Sequence, residues 1–243
     1  MEWWEALLLV LGGLAAGSIN SIAGGGSLLT VPLLVLAGVP GNFANGSNRV
    51  GILTSNVAAT AQFRALGVGS FKESLPIIAP VMAGSLTGAY FVQFLSDDSF
   101  ERVFGLIMIP LLFLSLRRPR PQRDVTWPTG LFSVTFFFIG AYGGAFQAGF
   151  GLIVIIALSL AGMDLVRANS VKVMINVANA LVALPTFIIQ GRVDWIPALV
   201  LAAGFTAGGA LGARITVKGG DAVVRRVMIV AVLALSGRLI GLY

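Results

Sequence analysis

Cysteine and histidine are both absent from the sequence, and charge is scarce. The first absence rules out a disulfide framework and thiolate metal sites. The second removes the commonest general base, metal ligand and proton relay. Acidic residues are few as well. Glu2, Glu5, Glu73, Asp97, Asp98, Glu101, Asp124, Asp164, Asp194 and Asp221 all fall in termini, loops or the ends of apolar runs. There they read as solvated charges and helix N-caps. With no carboxylate inside an apolar run, neither a metal site nor a carboxylate proton relay is expected. An intramembrane hydrolase is disfavoured too. Ser27 follows three glycines, but only Lys172 could serve as its base. No cofactor is implied.

Apolar residues dominate instead. They make up 57% of the 243 positions, with 11% charged, where a soluble domain has about a quarter charged. The solvent for so much apolar surface is lipid. The net charge of +6 would suggest nucleic acid on a soluble protein. Here the basic residues lie mostly between apolar runs and report topology, so no nucleic-acid partner is expected. The acidic, aromatic start Met1-Glu2-Trp3-Trp4-Glu5 does not resemble the basic start of a signal peptide.

The apolar runs of the first half are Trp3 to Ala23, Ser27 to Val39, Ala44 to Leu66, Lys72 to Leu95 and Ser99 to Leu116. Those of the second are Trp127 to Gln147, Leu152 to Gly162, Leu165 to Gln190, Asp194 to Thr216 and Asp221 to Ile240. Most approach the roughly 20 residues a helix needs to cross the hydrocarbon core. The runs from Ser27 and Leu152 are too short, and each follows a glycine-containing break, Gly24-Gly25-Gly26 or Ala148-Gly149-Phe150-Gly151.

A constant offset of 124 residues aligns the halves without gaps. It sets Gly25 on Gly149, Asn45 on Asn169, Phe71 on Trp195, Gly88-Ala89 on Gly212-Ala213 and Arg102 on Arg226. Residues 1–116 therefore read as a first membrane repeat, 117–126 as a basic cytoplasmic linker and 127–243 as a second repeat. If each repeat makes an odd number of passes, eleven lysines and arginines fall on one face, among them Arg64, Lys72, Arg117 and Arg214. Four fall on the other, Arg49, Arg102, Arg192 and Arg238, with Lys172 set aside as buried. An even number gives seven against eight and no bias. The positive-inside rule selects the odd count. The expected fold is thus all-α and polytopic, with two inverted-topology repeats of about five helical segments. Each repeat has a short half-helix after its glycine-rich break. Both termini are expected outside a bacterial-type inner membrane. Inverted repeats with broken helices are a recurring transporter architecture with a site near the midplane.

The polar residues inside the apolar runs are neutral or basic. Asn20 precedes the first break and Ser27 follows it. Asn45, Asn48 and Arg49 share one helical face by their spacing, and Asn169, Lys172 and Asn176 repeat the pattern. A glycine break exposes N–H groups at the start of the short helix, where the dipole favours an anion. Two such starts, at Gly24, Gly25 and Gly26 and at Gln147 and Gly149, are expected to meet at one point. Arg49 and Lys172 add full positive charge. The expected ligand is a small anion. The small-xxx-small pairs Gly84/Gly88 and Gly208/Gly212 are expected to pack helices, and Trp3-Trp4, Trp127 and Trp195 to anchor at the interfaces.

The run Gly24-Gly25-Gly26-Ser27-Leu28-Leu29-Thr30-Val31-Pro32-Leu33-Leu34, followed by Gly38-Val39-Pro40 and Ala44-Asn45-Gly46-Ser47-Asn48, resembles the sulfite exporter TauE/SafE family of membrane transporters. The likeness extends over nearly the whole chain, including Gln147-Ala148-Gly149-Phe150-Gly151 in the second half. It implies a transporter of sulfite, of organosulfur anions such as sulfoacetate, or of other small organic anions. It carries over Gly24, Gly25, Gly26, Ser27, Asn45 and Asn48 as motif residues. A carrier of carboxylates is the nearest alternative, and a non-transporting scaffold subunit a more distant one.

Overall fold

The computed structural model describes the backbone of residues 1–116 and 128–239, and side chains to residue 219 with several exceptions between 101 and 116. The basic linker and Trp127 lie outside the described residues. The described residues form α1 (Trp3–Ala23), α2 (Ser27–Leu36), α3 (Gly41–Ala65), α4 (Phe71–Val92) and α5 (Asp97–Leu116). The second half forms α6 (Thr129–Ala145), α7 (Phe150–Leu160), α8 (Leu165–Ile189) and α9 (Trp195–Leu239). The expected tenth segment is a correction. The runs Asp194 to Thr216 and Asp221 to Ile240 form one helix of 45 residues. The helix continues through Gly219-Gly220, since a glycine costs a helix only about 1 kcal/mol.

Several helix ends correspond in position between the two halves. α3 and α8 each have 25 residues, and both α3/α8 and α4/α9 begin at positions 124 residues apart. Gly38 and Gly162, and Gly67 and Gly191, hold the corresponding turns with φ of 81° and 91°, and 79° and 66°. Helices α1, α4, α8 and the Trp195–Gly219 part of α9 are long and apolar enough to cross a membrane. α3 is as long as α8, yet it carries Asn42, Asn45, Asn48, Arg49 and Asn56, all buried. Its polarity is tolerable because it lies within the bundle.

Small residues set the packing. Gly13 and Gly17 of α1 lie against Leu201, Phe205 and Gly209 of α9, so these helices run parallel. Gly84 and Gly88 of α4 lie against Phe137 and Ala141 of α6, while Gly140 lies against Val81, again parallel. A β-carbon at Gly84 would collide with the Phe137 carbonyl, and such contact is what lets membrane helices pack without a hydrophobic drive. α3 follows α9 in the same direction, through Ser47 on Asp194, Gly209 on Ser55 and Arg214 on Gln62. α8 follows α4 through Ser74 on Met174 and Ser85 on Asn179. α3 and α8 cross in opposite directions, with Gly46 beside Phe187 and Phe63 beside Val173.

Two groups result. One holds α1, α2, α3 and α9; the other holds α6, α7, α8 and α4. Each takes three helices from one half and one from the other. The short helices turn back on their predecessors. Gly26 lies against Ala16 and Asn20, and Leu33 against Gly12, so α2 returns along α1. Likewise Phe150 lies against Gly143, and Val154 and Leu158 pack in one cluster with Phe136 and Ile139.

Candidate functional site

The two breaks meet. Gly24 has φ 78° and closes α1 with its N–H on the Asn20 carbonyl at 2.9 Å. A β-carbon on Gly24 would strike the backbone of Gly151 and Leu152, so only glycine permits the approach. Ser27, the first residue of α2, donates from Oγ to the Gln147 carbonyl at 3.0 Å and accepts the Gly149 N–H at 3.3 Å. Both Gln147 and Gly149 are left-handed, with φ of 60° and 65°. Every residue singled out from the sequence is buried here except Gly25, which is half-buried.

α3 and α8 supply the cations. Arg49 donates to the Gly143 carbonyl at 3.2 Å, the Ala145 carbonyl at 3.3 Å, the Gly144 carbonyl and Gln147 Oε1. Its guanidinium lies 4.5 Å from the centre of the Phe187 ring. Lys172 Nζ donates to the Asn20 carbonyl and, at 3.3 Å, to the Ser21 carbonyl. An offset of 124 residues places Gly144 and Ala145 on Asn20 and Ser21. The two cations therefore hold equivalent carbonyls, each at the buried end of the other group's broken helix. Asn45 adds a bond to the Ala145 carbonyl at 2.8 Å, and Asn169 one to the Ile22 carbonyl at 2.9 Å. A helix C-terminus carries about half a negative charge, so each cation is only partly balanced. Among the described residues the ion pairs are peripheral, Arg167 with Glu73 and Arg192 with Asp97, and no acidic group is buried.

Polar side chains complete the centre. Thr30 donates to Asn48 Oδ1 at 2.6 Å. Gln147 Nε2 donates to Asn176 Oδ1 at 3.2 Å, and Asn179 Nδ2 donates to Gln147 Oε1 at 2.7 Å. Around the breaks Asn20 Nδ2, Asn48 Nδ2, Asn176 Nδ2 and Arg49 Nε are buried donors without a partner among the described residues, a condition that polar atoms of Ser55, Asn56, Thr60, Gln93 and Ser159 share elsewhere in the bundle. The acceptors Asn45 Oδ1, Asn169 Oδ1 and Asn179 Oδ1 share that condition. Unpaired buried polar atoms are costly and point to a polar guest. A separate cavity of about 860 Å³ between α3, α4 and α8, lined by Val57, Met82, Met174 and Arg64 among others, is mainly apolar. Its chemistry suits lipid rather than a small anion.

The structure thus brings all twelve sequence-selected residues around one pair of breaks. Arg49 and Lys172 donate to carbonyls at the ends of α6 and α1, and the Lys172 stem also passes Gly151 in the first turn of α7. Asn176 and Asn179 were visible as polar residues inside an apolar run, but their junction with Gln147 was not. Thr30 lay in the glycine-rich stretch without being selected. Phe187 left no signal.

Comparison with known proteins gives one consistent result. A family model described as "Sulfite exporter TauE/SafE" matches residues 9–239. The chain is 28% identical over 232 residues to the "Probable membrane transporter protein YfcA" of Escherichia coli (strain K12), covering 93% of this chain and 86% of the relative. It is 27% identical over 232 residues to the "Probable membrane transporter protein ORF9" of Sinorhizobium sp, covering 93% and 88%. It is 26% identical over 243 residues to the "Probable membrane transporter protein YunE" of Bacillus subtilis (strain 168), covering 87% and 89%. No solved structure is a significant match to the chain.

Proposed function

We propose that this chain, which belongs to the sulfite exporter TauE/SafE family of membrane transporters, exports small sulfur-containing anions such as sulfite or organosulfonates. The membrane is a bacterial-type inner membrane. The observation that carries this reading is the charge balance at the breaks. Two buried cations, Arg49 and Lys172, face carbonyl dipoles and unpaired amide donors, with no buried acid beside them among the described residues. A basic residue at the centre of a membrane helix costs about 2.5–3.5 kcal/mol on insertion scales. An anion bound among these groups offsets that cost. Asn20, Gly24, Gly25, Gly26, Ser27, Asn45, Asn48, Gln147, Gly149 and Asn169 form the remainder of the proposed site. An inverted repeat is the topology that fits: α1, α3 and α9 point one way, while α4, α6 and α8 point the other.

The test is anion flux into liposomes holding the purified protein. Sulfite and sulfoacetate are compared with acetate, with a neutral sugar and with protein-free liposomes. Protein-dependent movement of the sulfur anions is expected. Movement of acetate alone would transfer the assignment to carboxylates, and no protein-dependent anion movement would overturn it. With no embedded acid or histidine in the sequence, the expected transport is either uniport down the anion gradient or coupling in which the proton rides on the substrate.

A further inference from the structure

We infer that Arg49 with Asn45, and Lys172 with Asn169, are two latches that close the central site from opposite sides. The inference concerns how the site opens and rests on the site's being the transport site.

The two helix groups share a seam, and its hydrogen bonds are few. Ser27 joins Gln147 and Gly149 at the centre. Arg49 and Asn45, from the group with α1, α2, α3 and α9, hold the α6 end. Lys172 and Asn169, from the other group, hold the α1 end. Each latch is thus one cation and one asparagine of one group on the last carbonyls of a broken helix in the other.

Their positions along the seam differ. Both sit in the first turns of their helices, and α3 and α8 run antiparallel. The Arg49 latch therefore faces the side where Asn42 meets Asp97 and Ser47 meets Asp194. The Lys172 latch faces the side where Ser170 meets Val68 and Arg167 meets Glu73. With both formed, the site residues are buried and the site is shut on both sides. Opening towards one side requires release of one latch, while the other holds the groups together and acts as the hinge.

The chain has no cysteine, so a single reporter at Ser27→Cys can be labelled with a membrane-impermeant thiol reagent from either side of sealed, oriented vesicles. Adding Arg49→Gln should raise labelling from the Asp97 side alone. Adding Lys172→Gln should raise it from the Glu73 side alone. Each rise should be about tenfold or more, the factor carried by one charge-assisted hydrogen bond. A role confined to general stability would raise labelling from both sides or neither, and either result overturns the latches. So does a rise from the opposite side. Should a glutamine variant not fold, Asn45→Ala and Asn169→Ala give smaller changes of the same sidedness. Anion flux of the unmodified protein is measured in parallel. Absent flux with one-sided labelling removes the substrate reading and keeps the latches. Normal flux with symmetric labelling does the reverse.

Discussion

Among the described residues Gln147 is the non-glycine position with a left-handed backbone, φ 60°. A β-carbon in that region costs roughly 1–2 kcal/mol, and asparagine tolerates it better than most residues. The amide group explains why the cost is tolerated. Its two ends join Asn176 and Asn179, and its backbone carbonyl accepts from Ser27. Gln147→Asn should keep the turn but lose the reach to α8. Its thermal midpoint in detergent should fall, since one or two buried hydrogen bonds to α8 are lost at about 1–3 kcal/mol, and anion affinity should fall with the disordered asparagines. Unchanged affinity in a titration would make the amide network purely structural. At this scale the sequence was half legible. Spacings of three and four residues placed Asn45, Asn48 and Arg49 on one face, and Asn169, Lys172 and Asn176 on another. Which atoms they would meet was not legible, because the carbonyls of Gly143–Ala145 come from a helix nearly a hundred residues away and approach Arg49 only in the folded bundle. A backbone acceptor also has no residue signature.

The elements themselves were read from glycine, and glycine acts here in three ways that a substitution series separates. Gly130 sits in the first turn of α6 in open space, with ordinary backbone angles. Alanine there should be neutral or stabilise by up to about 1 kcal/mol. Gly191 also has open space but φ of 66°, so alanine should cost about 1–2 kcal/mol through the left-handed backbone alone. Gly88 of α4 lies against the Ala141 carbonyl, where a β-carbon would collide with main chain. Alanine there should cost about 1–3 kcal/mol by forcing α4 and α6 apart. Thermal midpoints should therefore rank Gly130→Ala at or above the parent, with Gly191→Ala and Gly88→Ala below it. Only Gly88→Ala should also impair anion flux, since only it displaces the α6 end that Arg49 holds. A Gly88→Ala protein with full flux and an unchanged midpoint would contradict the packing described. The same residue type explains what was misread. Gly24 ends α1 and Gly149 precedes α7 with left-handed backbones, and Gly26 precedes α2 where it meets the Ala16 carbonyl. Gly219-Gly220 lies in a run of the same appearance, but the helix continues through it. Local composition carries no record of that difference.

The whole molecule has a sidedness that its charges decide. The described structure places Arg64, Lys72, Arg167, Arg214 and Lys218 towards the end of the bundle where α3 finishes and α4 and α8 begin. At the opposite end, where α3, α5 and α9 begin, stand Arg102 and Arg192 with Asp97, Asp98 and Asp194. Only basic residues in short loops count strongly towards orientation, and they remain in the cytoplasm. The Arg64 end should therefore be cytoplasmic, which leaves the Asp97 end outside. Residues 117–126 hold Arg117, Arg118, Arg120 and Arg123 and lie outside the described residues, so the linker tests the assignment independently. Single cysteines at Gly69, Ser96 and Gln122 can each be introduced without removing any native thiol. Gly69 has open space around it, and Ser96 lies in the exposed turn between α4 and α5. Impermeant maleimide should reach Ser96→Cys in intact cells. It should reach Gly69→Cys and Gln122→Cys only after the inner membrane is opened. Labelling of Gly69→Cys and Ser96→Cys from one side would mean that α4 does not cross the membrane. Complete reversal would leave the two groups intact while placing the Arg49 latch inside. Labelling of Gln122→Cys on the Ser96 side, with Gly69→Cys on the other, would remove the odd number of passes from the first half, and with it the inverted repeat.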